Sequence, residues 1–248
     1  MSDVISAQEE NLYDILKNNI LDLKLKPGMI LSIKNICETY NIGRTPARDV
    51  LLQLSKDGLI TFLPQRGTMI SLIQLETAKN QRFLWECVEK VVLMESMAQR
   101  NINVITELEL SIQRLEELYR SDQLDNREFL KEDRNFHFIF YKAANREYCY
   151  HMLEERTLDY YRVQLLALSD KSMQKKILEQ HKEILDAFTS SDSTGLTIAF
   201  TRHIHQIISN DIVKQYIELF DTSSHFETKK PSILDMDFLA EAKLHYHL

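Results

Sequence analysis

A mostly α-helical protein is predicted: a small three-helix head closed by a β-hairpin, followed by an all-helical bundle of six or seven helices. Three observations predict it. Only 5 glycines and 4 prolines occur in 248 residues, too little turn chemistry for an architecture of many short strands. Apolar residues recur at three- and four-residue spacing through most of the chain, the period of a half-buried helix. The period changes once, over residues 59–73, where β-prone runs flank Pro64-Gln65-Arg66-Gly67. The length allows one large domain or two small ones, and 44% hydrophobic with 27% charged residues supports a buried core.

In chain order, Leu12, Ile15, Leu16, Ile20 and Leu23 put one apolar face on a helix over 8–23, which Pro27-Gly28 stops. Ser32 suits the N-cap of a short second helix with Ile33, Ile36, Cys37 and Tyr40 on its inner side, and Asn41-Ile42-Gly43 turns the chain. Thr45 as N-cap and Pro46 as first helical residue start a third helix, because the N–H that proline lacks would be unpaired there anyway. Ala47, Val50, Leu51 and Leu54 form its buried face, and Gly58 ends it. Residues 59–63 and 68–73 then pair as a hairpin. Three short helices with a β-hairpin wing make a winged helix-turn-helix over residues 1–75.

From residue 76, helices are predicted over 76–100, 104–120, 126–145, 147–168, 172–189 and 194–219. Short polar connections make successive helices antiparallel neighbours, so residues 76–221 form a bundle and residues 222–248 an appended tail.

Charge is unevenly spread. The formal net charge is -7, yet residues 24–73 hold seven Lys or Arg against three acids, and residues 1–73 balance, so the acidity belongs to the bundle. A basic surface on an acidic body fits a polyanionic partner better than the total suggests. Cys37, Cys87 and Cys149 are odd in number and outside any CxxC spacing, which excludes a disulfide framework and fits a reducing compartment. Glu9 and Glu10 stand where a secretion signal needs a basic then apolar stretch, and apolar runs stay far below the ~18 residues of a membrane span. A cytoplasmic location without a membrane partner is expected.

A recognition helix presents basic groups at its N-terminal end, where free N–H groups also favour phosphate. Arg44 and Arg48, one turn apart, do this for the third helix; Arg66 beside Gly67 sits at the wing tip, and Lys34 near the start of the second helix suits a phosphate contact. Any one of these arginines alone would be an ordinary solvated charge. Together with Pro27-Gly28, the run Gly43-Arg44-Thr45-Pro46-Ala47-Arg48-Asp49-Val50-Leu51, Gly58-Leu59-Ile60 and Pro64-Gln65-Arg66-Gly67-Thr68, they resemble the N-terminal signature of the GntR family of bacterial transcription regulators. The family more often has Ser or Thr at position 43, and Val, Glu and Ala at 47, 49 and 50; Gly43 therefore lacks a hydroxyl that would meet phosphate. The resemblance implies DNA contacts from Lys34, Arg44, Arg48 and Gly67, to which Thr45 and Arg66 are added.

The second half resembles the FCD domain, the helical ligand-binding domain of the FadR subfamily. Asp133-Arg134-Asn135-Phe136-His137 followed by Ala143-Ala144-Asn145 looks like its D-x-x-x-H helix, and His181-Lys182-Glu183-Ile184 and His203 follow on later helices. Asp133 and His137 are i, i+4 and project from one helix face. The resemblance implies that these two with His181 and His203 hold a divalent metal, for which Zn²⁺, Mn²⁺ or Ni²⁺ all suit one carboxylate and three imidazoles. His151, His205, His225, His245 and His247 are read as ordinary surface or hydrogen-bonded groups, and His205 lies on nearly the opposite face from His203. Related domains carry E-x-R on the first bundle helix, with the Arg gripping an effector carboxylate; Glu86-Cys87-Val88 has Val88 there, which leaves Arg82, Arg134 and Arg162 as candidates for an anionic effector. Phe83, Trp85, Tyr160 and Tyr161 either line a cavity or are simply core.

The expected function is a homodimeric DNA-binding transcriptional regulator, acting as a repressor at a pseudo-palindromic operator under control of a small-molecule effector, an organic acid by resemblance. No catalytic residues are expected. The alternatives are a metal-dependent enzyme built on the bundle and a DNA-binding dimer without a ligand.

Overall fold

A computed structural model describes residues 2–65, 67–121 and 125–221, with side chains from Asn11 onward. The tail, with His225, His245 and His247, lies outside the described residues. Helix α1 (Ser2–Leu21) buries Leu12, Leu16 and Ile20, spaced by four. After strand β1 (Ile30–Leu31), helix α2 (Ile33–Tyr40) starts on Ser32, whose Oγ accepts from the Asn35 N–H, and ends on Asn41 in the left-handed region. Helix α3 (Arg44–Lys56) turns Ala47, Val50, Leu51 and Leu54 inward. It begins one residue before the expected cap: Gly43 is the N-cap, without a side-chain bond, and Thr45 and Pro46 are the second and third helical residues. Proline is tolerated there because N–H groups in the first turn have no intrahelical acceptor.

Strands β2 (Ile60–Leu63) and β3 (Gly67–Ile70) form the expected hairpin, and β1 adds to it, giving the antiparallel order β1-β3-β2. Two residues are too few to show a period, which is why β1 was not foreseen. Gly67 takes φ +103°, a backbone that side chains rarely adopt.

Strand β4 (Ile73–Gln74) leads into the bundle: α4 (Leu75–Ala98), α5 (Ile102–Arg120), α6 (Asn126–Ala143), α7 (Glu147–Arg156), α8 (Leu158–Ala167), α9 (Lys171–Ser190) and α10 (Ser193–His205). Its centre is packed with Phe129, Phe136, Phe140, Phe188 and Phe200, all fully buried. Two predicted helices are broken. The run over 147–168 divides at Thr157, whose buried hydroxyl donates to the Leu153 carbonyl at 2.6 Å and accepts from Trp85 Nε1 at 2.8 Å. That hydroxyl takes the acceptor a continuous helix would use. The run over 194–219 gives way to a short helix α11 (Asn210–Gln215), capped by Ser209, and a 3₁₀ turn. Strand β5 (Phe220–Asp221) then returns to pair parallel with β4.

Candidate functional site

Helix α6 supplies Asp133 and His137, α9 supplies His181 and α10 supplies His203, and all four are buried. One ligand atom from each lies within 4.8 Å of all the others. His137 Nε2 is 3.0 Å from His203 Nε2, and Asp133 Oδ1 is 3.3 Å from His181 Nε2 but out of line for a hydrogen bond. Packing fixes the rings: the His181 imidazole stacks on Phe136 at 4.1 Å.

The far sides of two imidazoles are held as well. His137 Nδ1 hydrogen-bonds the buried Glu89 carboxylate of α4, and His203 Nδ1 is 3.2 Å from Gln180 Oε1. A partner behind each ring orients the ligand nitrogen in front. Burial prevails at His181, lowering its pKa, and together with His181 and His137 it drives His203 well below the ordinary histidine range. At His137 burial is outweighed by Glu89, and the pKa rises. Burial also opposes ionisation of Asp133, but the facing imidazoles of His181, His137 and His203 hold its carboxyl well below the usual range. His181 and His203 thus offer lone pairs and Asp133 an anion, the states a cation requires.

The cluster fits a metal. Asp133 Oδ1 and both nitrogens of His181 are buried without a hydrogen-bond partner among the described residues, and each such orphan costs about 1–3 kcal/mol unless something fills its valence. A carboxylate with three imidazoles suits Zn²⁺, Mn²⁺ or Ni²⁺. Beside it opens a small cavity of about 30 Å³, bordered by Trp85, Glu89, Arg134, Tyr150, Tyr160 and Gln164 as well as by Asp133, His137 and His203.

Of the three candidate arginines only Arg134 borders this cavity. Its Nη2 donates to Gln164 Oε1 at 2.8 Å, and its guanidinium lies over Tyr161 at 4.7 Å. Arg82 is half-buried and away from the cavity lining, and Arg162 is held at the junction with the head. Trp85 and Tyr160 line the cavity, whereas Phe83 is exposed. His205 is bound to Glu86 at 2.8 Å, outside the cluster; despite burial, His205 and Lys90 hold the Glu86 carboxyl down at about 2.

Sequence reasoning missed Glu89 and Gln180. A signal for Glu89 existed: it sits in the stripe Trp85, Glu89, Val92, Leu93 and Ser96 that α4 turns inward, where an unpaired acid is not stable. Glu89→Gln is expected to weaken Zn²⁺ binding about 10- to 100-fold by isothermal titration, with Glu86→Gln close to wild type.

On the head, Arg44 and Arg48 are exposed on the first two turns of α3, with no ion pair among the described residues. Thr45 between them is exposed, Gly67 opens β3, and Lys34 on α2 is exposed and 3.7 Å from Glu38. Arg66 lies outside the described residues. The second and third helices with the wing therefore bring Lys34, Arg44, Thr45, Arg48 and Gly67 onto one small domain, where Arg44 and Arg48 are exposed without an ion pair among the described residues and Lys34 is paired at its surface with Glu38.

Residues 8–70 match the bacterial regulatory proteins of the gntR family, and residues 85–206 match the FCD domain. The chain is similar to the HTH-type transcriptional repressor RspR of Escherichia coli strain K12, 28% identical over 203 residues that cover 80% of this chain and 86% of that protein. It is also similar to an HTH-type transcriptional regulator from an unstable DNA locus of Streptomyces ambofaciens, 26% identical over 204 residues, 82% of this chain and 85% of the other. Among solved structures, McbR/YncC of E. coli shares the fold with a TM-score of 0.66 at 17% identity, over 84% of this chain and 98% of that one.

Proposed function

This chain belongs to the gntR family of bacterial regulatory proteins, with a DNA-binding head and an FCD effector domain, and from that premise we propose a metal-loaded, ligand-responsive repressor that binds its operator as a homodimer. It is a transcriptional regulator, not an enzyme. Residues 1–75 are the reading head, residues 76–221 the effector and dimerisation body. The observation that carries this reading is the convergence of Asp133, His137, His181 and His203 in a buried pocket that opens to a cavity.

Asp133, His137, His181 and His203 would hold Zn²⁺, Mn²⁺ or Ni²⁺, which when bound supplies a Lewis-acidic position for a small organic acid. Arg134 stands at the same cavity with its charge partly free to meet that acid: its contact to Glu154 is 3.7 Å. Arg44, Thr45, Arg48 and Lys34 read or grip the operator, together with Gly67 at the wing and the neighbouring Arg66 of the sequence motif. The repressor sign is carried over from the name of RspR. DNA binding places this work in the cytoplasm, and no described helix is long and apolar enough to cross a membrane.

The dimer reading is supported by α4, which leaves Leu84, Cys87 and Val91 exposed at helical spacing, Val91 at 59%. An apolar stripe on one helix can pair with its own two-fold copy. Val91→Glu is expected to sediment as a monomer and to bind an operator selected from random duplexes roughly 100-fold more weakly, since one head makes half the contacts. The same duplex, titrated against Zn²⁺-loaded and chelated protein with a panel of small carboxylates, tests the whole reading. An affinity indifferent to both metal and acid would refute ligand control.

A further inference from the structure

We infer that α8 couples the cavity to the reading head and that Arg162 is the positioning residue through which it acts; this rests on the ligand-controlled reading above. Helix α8 has two working faces. Tyr160 and Gln164, one turn apart, border the cavity. Leu158 and Arg162, also one turn apart but displaced by two residues, face nearly the opposite way, because two helical positions rotate by about 200°. Leu158 is packed into the buried core of the head, alongside Leu12, Leu51 and Ile70.

Arg162 is 1% exposed. Its Nη1 donates to the Ser71 carbonyl at 2.9 Å and its Nη2 to the Asp159 carboxylate, whose other oxygen accepts the Gln74 N–H at 3.4 Å. Helix α8 therefore grips both ends of residues 71–74, the segment joining wing to bundle. The N–H of Ser71 donates to the Leu59 carbonyl, so Arg162 holds backbone that belongs to the wing. Stability does not require such a group: buried ion pairs are commonly replaceable by apolar side chains without loss. A planar fork that bridges Asp159 and a backbone carbonyl supplies geometry instead.

The start of α8 is tied to the cavity wall. Thr157 accepts from the indole of Trp85, and Trp85 borders the cavity. A ligand that displaces Trp85 or Tyr160 moves α8 as one unit about 15 Å long. Arg162 carries the movement to Ser71 and thence to the wing.

The test is hydrogen exchange of the full-length protein across residues 67–74 with and without saturating Zn²⁺, alongside zinc stoichiometry. In the wild-type protein zinc slows exchange there about tenfold, within the usual span of coupling energies. Arg162→Lys keeps a charge for Asp159 but loses the fork; it takes up the same zinc, and its wing response falls below about twofold. Leu158→Ala, which serves if the first variant does not fold, moves the response the same way. A response retained in folded, zinc-loaded variants, or absent in zinc-loaded wild type, overturns the coupling. Wild-type protein that takes up none of Zn²⁺, Mn²⁺ or Ni²⁺ overturns the metal reading instead, and Thr157→Val then decides the coupling without metal. Cutting the Trp85 bond must speed exchange across 67–74, and unchanged exchange rejects the role of α8.

Discussion

His181→Ala is expected to lose its metal, with elemental analysis falling from one equivalent of Zn²⁺ to near none after gel filtration. His181 is the most enclosed of the four ligands, fully buried and stacked on Phe136, and neither of its ring nitrogens has a hydrogen-bond partner among the described residues. If four ligands share the roughly 10–16 kcal/mol of a closed zinc site, one is worth on the order of 3 kcal/mol, or about 100-fold in affinity. The loss also removes most of the linkage: Zn²⁺ at about 100 times the wild-type Kd stabilises wild type by roughly 2.7 kcal/mol, raising Tm, whereas the same concentration, near the variant's own Kd, stabilises the variant by only about 0.4 kcal/mol. Comparing each protein with and without metal separates this from the cavity that the missing ring leaves. His205→Ala, altered outside the cluster, keeps its zinc. Equimolar zinc in the His181 variant would mean that the ligand set is wrong.

Arg48→Ala should bind the cognate operator about 10- to 100-fold more weakly, a loss of about 1–3 kcal/mol if the guanidinium reads a base. Arg44→Ala is predicted to act more evenly across sequences and to reduce the salt slope by about one, because a residue at the head of the helix meets phosphate. Both side chains are exposed and without ion partners among the described residues, so neither change should shift Tm by much. Filter binding on cognate and scrambled duplexes at two salt concentrations distinguishes the two roles. Operator affinity unchanged in both variants would remove α3 as the reading helix.

Much of this was legible in one dimension. The inward stripe of α3, the i, i+4 pair of Asp133 and His137 on α6, and the turn residues around the wing are local features, and local period and dihedral preference are what a chain carries along its length. Where a local signal was read too simply, chemistry at a distance had intervened. Thr157 reads as an ordinary helical residue until Trp85, 72 positions earlier, takes its hydroxyl and the helix breaks in two. Arg162 has the same spacing credentials as Arg134, yet one is buried against Ser71 and the other borders the cavity.

By itself the sequence determined the helical body, the winged head, and which side chains have the chemistry to hold a cation or meet a duplex. Tertiary structure alone decided which of them meet. The Glu89 behind His137 is 48 residues away in the chain, and His203 is 66 from the imidazole it faces. Pairing across such distances is chosen by how the inward stripes of separate helices pack, and packing is a property of the assembled core rather than of any stretch of residues within it.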